Sequence, residues 1–329
     1  MDEGGRFPKV AAKAGHYESF YVKACQPGGG RGIWIRHTVH KRPGAEPNAS
    51  IWFVLFDREA NAPRATKLTV PVAELSAPVG SWIRVAAAEI GPGRASGSIA
   101  TDALSASWEL TFGGDAAPCK YLPADWLYEA RLPRTKFVAP FPDARFDGRL
   151  EIDGESIELD GWPGMIGHNW GSEHAERWVW LEGTGFEGAH DTYFDAGAAR
   201  VQLGRWTSPW LPSGMLRLDG EEHRLGGFGQ IRSASIAPSP TACEFTLPGK
   251  DIVVRGRVSA AKKDFVGWVY ADPEGPEHNT VNCSVSDLEL TVERPAQPPR
   301  TLTLQAGAAY ELGMRETDHG IPIQPYSDG

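Results

Sequence analysis

The sequence predicts an all-β protein made of two consecutive antiparallel β-barrel domains, and three observations lead there. Glycine and proline are abundant, 38 and 26 of 329 residues, and they punctuate short apolar runs. Those runs repeat with period two rather than 3.6. Twelve tryptophans and thirteen phenylalanines supply the large rings that pleated surfaces accommodate. With 41% apolar residues, a chain of this length fills one large core or two ordinary ones without disulfide or metal staples.

The first half reads as a ladder: GHYESFYVKA, GIWIRHTVH, SIWFVLFDRE, ATKLTVPV, SWIRVAAAEI, GSIATD and LSASWELTF. Turn chemistry separates the rungs, as in PGGGRG at 27–32 and GPGR at 91–94. His37 and His40, beside Arg36 and Lys41, read as an exposed strand end. Residues 115–147 break the rhythm, because Pro118, Pro123, Pro133, Pro140 and Pro142 are incompatible with a central strand. That segment is expected to be a crossing loop or a lid, with Tyr121, Trp126 and Phe137 as covering rings. GRLEIDG and ESIELDG then form a hairpin, and regular strands continue to AAYELGMRE. Each half offers roughly eight to ten strand candidates, the number one nearly closed barrel needs. The expected division is 1–160 and 161–329.

Composition narrows the partners. Thirty-three Lys and Arg against 42 Asp and Glu give a net charge of −9, and no long basic run tracks a phosphate backbone, so nucleic acid is not expected. The N-terminus has no signal-peptide pattern and no apolar stretch is long enough for a membrane span, which predicts a cytoplasmic protein without an integral span. Peripheral membrane contact is one route by which an apolar substrate would be loaded. Cys25, Cys119, Cys243 and Cys283 are far apart, a spacing that suits reduced thiols rather than a disulfide framework or a zinc knot.

The densest stretch is GWPGMIGHNWGSEHAERWVWLEG, Gly161–Gly183. Trp178 and Trp180 alternate with Val179 and Leu181, so this strand is apolar on both faces, and its rings are either core or pocket wall. The glycines around His168, Asn169 and Trp170 predict a shaped loop at the seam of the two barrels, where pockets often form. His174, among Ser172, Glu173, Glu176 and Arg177, reads as part of a solvated turn or an ion-pair cluster. The histidine spacings match no recognised metal pattern, and no G-x-S-x-G elbow occurs. Trp268 and Tyr270 alternate in GWVYAD and line the second barrel or its core.

In HDTYFDAG, Tyr193 and Asp195 fall on one strand face and Phe194 on the other. An acid with aromatic company on an inward face has a raised pKa and can hold its proton near pH 7.

The order G-x-x-G-H-N-W-G, then W-x-W, then Y-x-D resembles the hydroxyneurosporene synthase (carotenoid 1,2-hydratase) superfamily of tandem lipocalin-like proteins, related to tocopherol cyclase and lipocalin-like pericyclases. The specific match covers Gly161–Asp195. The resemblance implies that His168, Trp170, Tyr193 and Asp195 line a pocket, with Asp195 protonating an isoprenoid double bond.

The expected function is an acid-catalysed hydratase or cyclase that acts on an apolar polyene without a metal or other cofactor. Trp170, Trp178 and Tyr193 would stabilise the cation, and His168 and Asn169 would position water. Trp180, Trp268 and Tyr270 complete the expected substrate contacts. Two alternatives stay open: a pericyclase or isomerase that needs no acid, and a non-catalytic carrier of lipophilic ligands.

Overall fold

The computed structural model describes residues 4–327. Strands dominate its regular structure, and the α-helix Trp126–Glu129 is a single turn. Two large antiparallel sheets follow one another along the chain, the all-β arrangement of two lipocalin-like barrels.

The first sheet has twelve strands. Its central run is Arg64–Pro71, Asn48–Asp57, Arg31–Lys41, His16–Cys25, Glu155–Gly171, Thr135–Ile152 and Ser105–Gly113. Phe20, Ile35, Phe53, Trp108 and Phe146 fill its interior. Strand alternation sends the intervening side chains outward: Tyr21, Trp34, Trp52 and Val54 belong to a second cluster shared with the other sheet. Strands such as SIWFVLF are therefore apolar throughout because both of their faces are buried.

The second sheet runs Glu221–Gly226, Leu211–Leu218, Ala189–Arg200, Arg177–Phe186, Arg300–Met314, Glu277–Glu293, Val253–Ser259, Ala242–Pro248 and Ser235–Ser239. Val266–Ala271 pairs alongside Glu277–Glu293. Val179, Leu181, Phe194, Phe245 and Leu312 pack in its core. The opposite face of Arg177–Phe186 meets the outer wall of the first sheet. There Lys23 Nζ and Glu182 Oε2 form an ion pair of 2.6 Å with both side chains fully buried.

The GRLEIDG–ESIELDG hairpin forms as read, with Ile152 opposite Glu155. Asp153 and Gly154 both take positive φ at its turn, the two-residue geometry that matches strand twist.

Four expectations need correction. Gly161–Gly171 is not a loop but the end of the strand Glu155–Gly171, paired on both sides. Its glycines serve close packing: a Cβ on Gly164 would strike the Lys23 carbonyl, and one on Gly167 would strike the Tyr21 ring. The chain therefore stays in the first sheet through Gly171 and enters the second at Arg177, later than the expected division at 160/161. Pro140 and Pro142 lie within the strand Thr135–Ile152, tolerated because the ladder slips between Val138 and Phe141 and again before Ala144. His37 and His40 are buried, at 0% and 5% exposure, because the second sheet and the first interior cover both faces of their strand.

Candidate functional site

A cavity of about 220 Å³ lies at the seam, walled by both sheets. Tyr21, Trp34 and Arg36 come from the first sheet, Trp178, Trp180 and Glu311 from the second. The 115–147 segment closes one side with Tyr121 and Phe137, whose rings meet edge to face at 4.6 Å. Trp126 takes no part and is 68% exposed.

Asp195 lies one layer behind this wall. It sits opposite Glu182 and Met215 on neighbouring strands and is fully buried. Tyr193 shares its strand face, while Phe194 points the other way and stacks on Phe245. The indole Nε1 of Trp180 donates to Asp195 Oδ1 at 3.0 Å, and Oδ2 meets no geometric hydrogen-bond partner among the described residues. Burial pushes the carboxyl up to about 7; Glu182 adds to that effect, and the donors Tyr121 and Trp180 oppose it. The Tyr121 hydroxyl is likewise buried, and it and Asp195 act on each other's proton affinity.

His174 also lines the cavity. Asp272 Oδ1 accepts from the His174 backbone N–H at 2.6 Å and contacts Nδ1 at 2.7 Å, while Asp272 Oδ2 meets His278 at 3.4 Å. Burial alone would raise the Asp272 carboxyl, but the two histidines outweigh it and hold the group ionised. Nδ1 of His174 therefore carries the proton, and Nε2 is left without a partner among the described residues. Burial lowers the proton affinity of this imidazole despite Asp272, which keeps it neutral. Tyr17 stacks on the ring at 3.9 Å and Trp178 at 5.5 Å, fixing its plane. The cavity thus has an acid with a strongly raised carboxyl behind one wall and an oriented base in another.

The expected residues separate into groups. Trp178, Trp180, Asn169 and Tyr270 line the cavity. Tyr193 is buried nearby, its hydroxyl donating to Glu222 at 3.3 Å, but it is not in the cavity wall. Trp268 is packed against Trp52 at 4.9 Å, in the core.

His168 and Trp170 point to the other face of their strand, away from Asn169. His168 stacks on Phe20 at 3.8 Å, and its Nε2 lies 2.8 Å from Glu18 Oε1. Glu18 also accepts from the backbone N–H groups of Arg6 and Phe7 and contacts His16. The histidine of the H-x-W pair thus belongs to a saturated clasp on the N-terminal segment, and Trp170 stacks beside it beneath Arg6. Neither touches Asp195.

His174, Arg36 and Tyr121 on the lining, and Asp272 behind His174, are groups that sequence reasoning left out or assigned otherwise. Only Tyr121 carried a signal, as a ring in the suspected lid. His174 and Asp272 are 98 positions apart, and nothing local announces the pair. Among the described residues no cluster of three or more His, Cys, Asp or Glu is arranged to hold a metal. All four cysteines are buried and unpaired. Among the described residues no helix is long and apolar enough to cross a membrane.

Fold and site together define a tandem lipocalin-like protein with an inter-unit cavity. No family model matches the chain. An uncharacterised protein of Mycobacterium tuberculosis H37Rv, Rv0493c, is 24% identical over 285 residues, covering 86% of this chain and 83% of the relative. Among solved structures, an AttH-like protein from Nitrosomonas europaea aligns over 95% of this chain and 97% of its own, with 13% identity and a TM-score of 0.54. CghA, solved with Sch210972, aligns over 92% and 89%, with 11% identity and a TM-score of 0.54. These likenesses establish the fold over nearly the whole chain.

Proposed function

We propose that this protein is an acid-catalysed hydratase or cyclase acting on a carbon–carbon double bond of a compact terpenoid or similar apolar molecule. The observation that carries the reading is the buried carboxyl of Asp195, held up to about 7 behind an aromatic cavity. An apolar cavity of about 150 Å³ accepts benzene, so about 220 Å³ suits one or two rings or a short prenyl segment rather than a long polyene. CghA, of the same architecture, was solved with Sch210972, which supports a ligand-binding role.

In this reading Asp195 gives its proton to the Tyr121 hydroxyl as that hydroxyl protonates the alkene carbon. The faces of Trp178, Trp180 and Tyr21 stabilise the tertiary cation. For hydration, His174 Nε2 takes a proton from the attacking water and Asp272 stabilises the imidazolium; return of that proton to Asp195 through solvent closes the cycle. For cyclisation, a second double bond attacks the cation and His174 removes the final proton.

The test is deuterium incorporation from D₂O into compact prenyl and styryl alkenes, followed by NMR. Asp195→Asn should lower the rate by about 10²-fold or more, the usual scale of general acid catalysis. The wild-type rate should fall as pH rises through about 7, where Asp195 loses its proton. Full activity in Asp195→Asn would remove the acid from the mechanism.

A further inference from the structure

Arg36 is 95% buried by its 5% exposure, yet among the described residues it forms no ion pair, and its Nε has no hydrogen-bond partner. It stands on the strand Arg31–Lys41, opposite Tyr21 and Trp52, and lines the cavity. Its guanidinium carbon lies 4.2 Å from the Tyr270 ring centre, 5.3 Å from Trp52 and 5.7 Å from Trp34. Three ring faces soften the loss of water but supply no counter-charge.

The nearby acids are committed elsewhere. Glu311 accepts from Trp178 at 2.8 Å and from Tyr270 and Asn282, each at 3.1 Å. Asp272 is taken by His174 and His278. Lys136, the other long cation on the lining, directs its Nζ to the Pro133 carbonyl. Arg36 is thus a desolvated planar fork facing an apolar room, the arrangement that recognises a carboxylate.

We propose that the cavity binds a compact apolar molecule bearing a carboxylate, with Arg36 as the anchor of that group. This rests on the preceding reading in one respect, that the substrate sits in this cavity, and it narrows the substrate to an unsaturated acid. The aromatic wall holds the hydrocarbon body, and the guanidinium fixes which end faces Asp195 and which faces His174.

Tryptophan fluorescence of the whole protein, titrated with cinnamate, 2-naphthoate and geranate and with their primary amides, tests it directly. The acids should bind at least about tenfold tighter than the amides, a typical discrimination for a charge-assisted pair. In Arg36→Met that preference should collapse while the amides bind as before. Equal affinity for acids and amides, no uptake of any of the three acids, or a preference that survives in Arg36→Met would overturn the proposal. The comparison on the unaltered protein holds whether or not the variant folds. Retained turnover in Asp195→Asn would remove the acid and leave this anchor standing; equal binding of acids and amides would do the reverse.

Discussion

Burial acts with opposite signs on two ionisable side chains of this protein. It pushes the Asp195 carboxyl up to about 7 and the His37 imidazole down to about 3, in each case by disfavouring the charged form. Among the described residues both nitrogens of His37 lack hydrogen-bond partners. The native state therefore refuses a proton that the unfolded chain accepts below about 6.5, so stability falls as pH drops from there toward 3. At pH 5 this costs about 2 kcal/mol, at roughly 1.4 kcal/mol for each pH step. His37→Leu should be more stable than the parent at pH 5, with a smaller difference at pH 8, measured by urea midpoints. Asp195 works the other way: its native form holds a proton the unfolded chain releases above about 4, so its contribution is lost as pH rises to about 7. The Tyr193–Asp195 face was legible because a strand's period of two places side chains without further information. His174 was not, since its meaning depends on a carboxylate 98 positions away that frees one nitrogen for the cavity.

At the level of strands, most of the ladder was legible from apolar runs and turn residues, and the D-G turn at 153–154 formed as its sequence requires. The two misreadings share a cause. Glycine in Gly161–Gly171 and proline at 140 and 142 are loop signals by frequency, but here they answer tertiary demands, close approach in one strand and bulges in the next. The distinction makes a measurable difference. Gly164→Ala would press a methyl onto the Lys23 carbonyl and should cost about 1–3 kcal/mol, as overpacking does. Gly113→Ala, extended and with open space around it, should be nearly neutral in the same denaturation experiment. The reversal of strand face between His168 and Asn169 follows from the same correction: once the segment is a strand, adjacent residues cannot share a pocket.

Across the whole molecule, the two sheets are joined by a buried wall rather than an exposed hinge. Lys23 and Glu182 cross that wall, with Glu182 also accepting from Thr184 Oγ1 at 2.6 Å and Lys23 bonding the Gly307 carbonyl. Lys23→Met should destabilise by about 3–5 kcal/mol because it strands a buried carboxylate, and adding Glu182→Leu should recover much of that loss. Thermal and urea unfolding of the two variants would check both signs. The pair lies between the same strands that carry Tyr21 and Trp180, across from one another at 5.4 Å. The reaction chamber is consequently a property of the joint. Neither half possesses it, so a gene fragment encoding one unit would inherit a wall without the space it encloses, and exchange of halves with a distant relative would have to preserve the mating surface before any chemistry could be transferred.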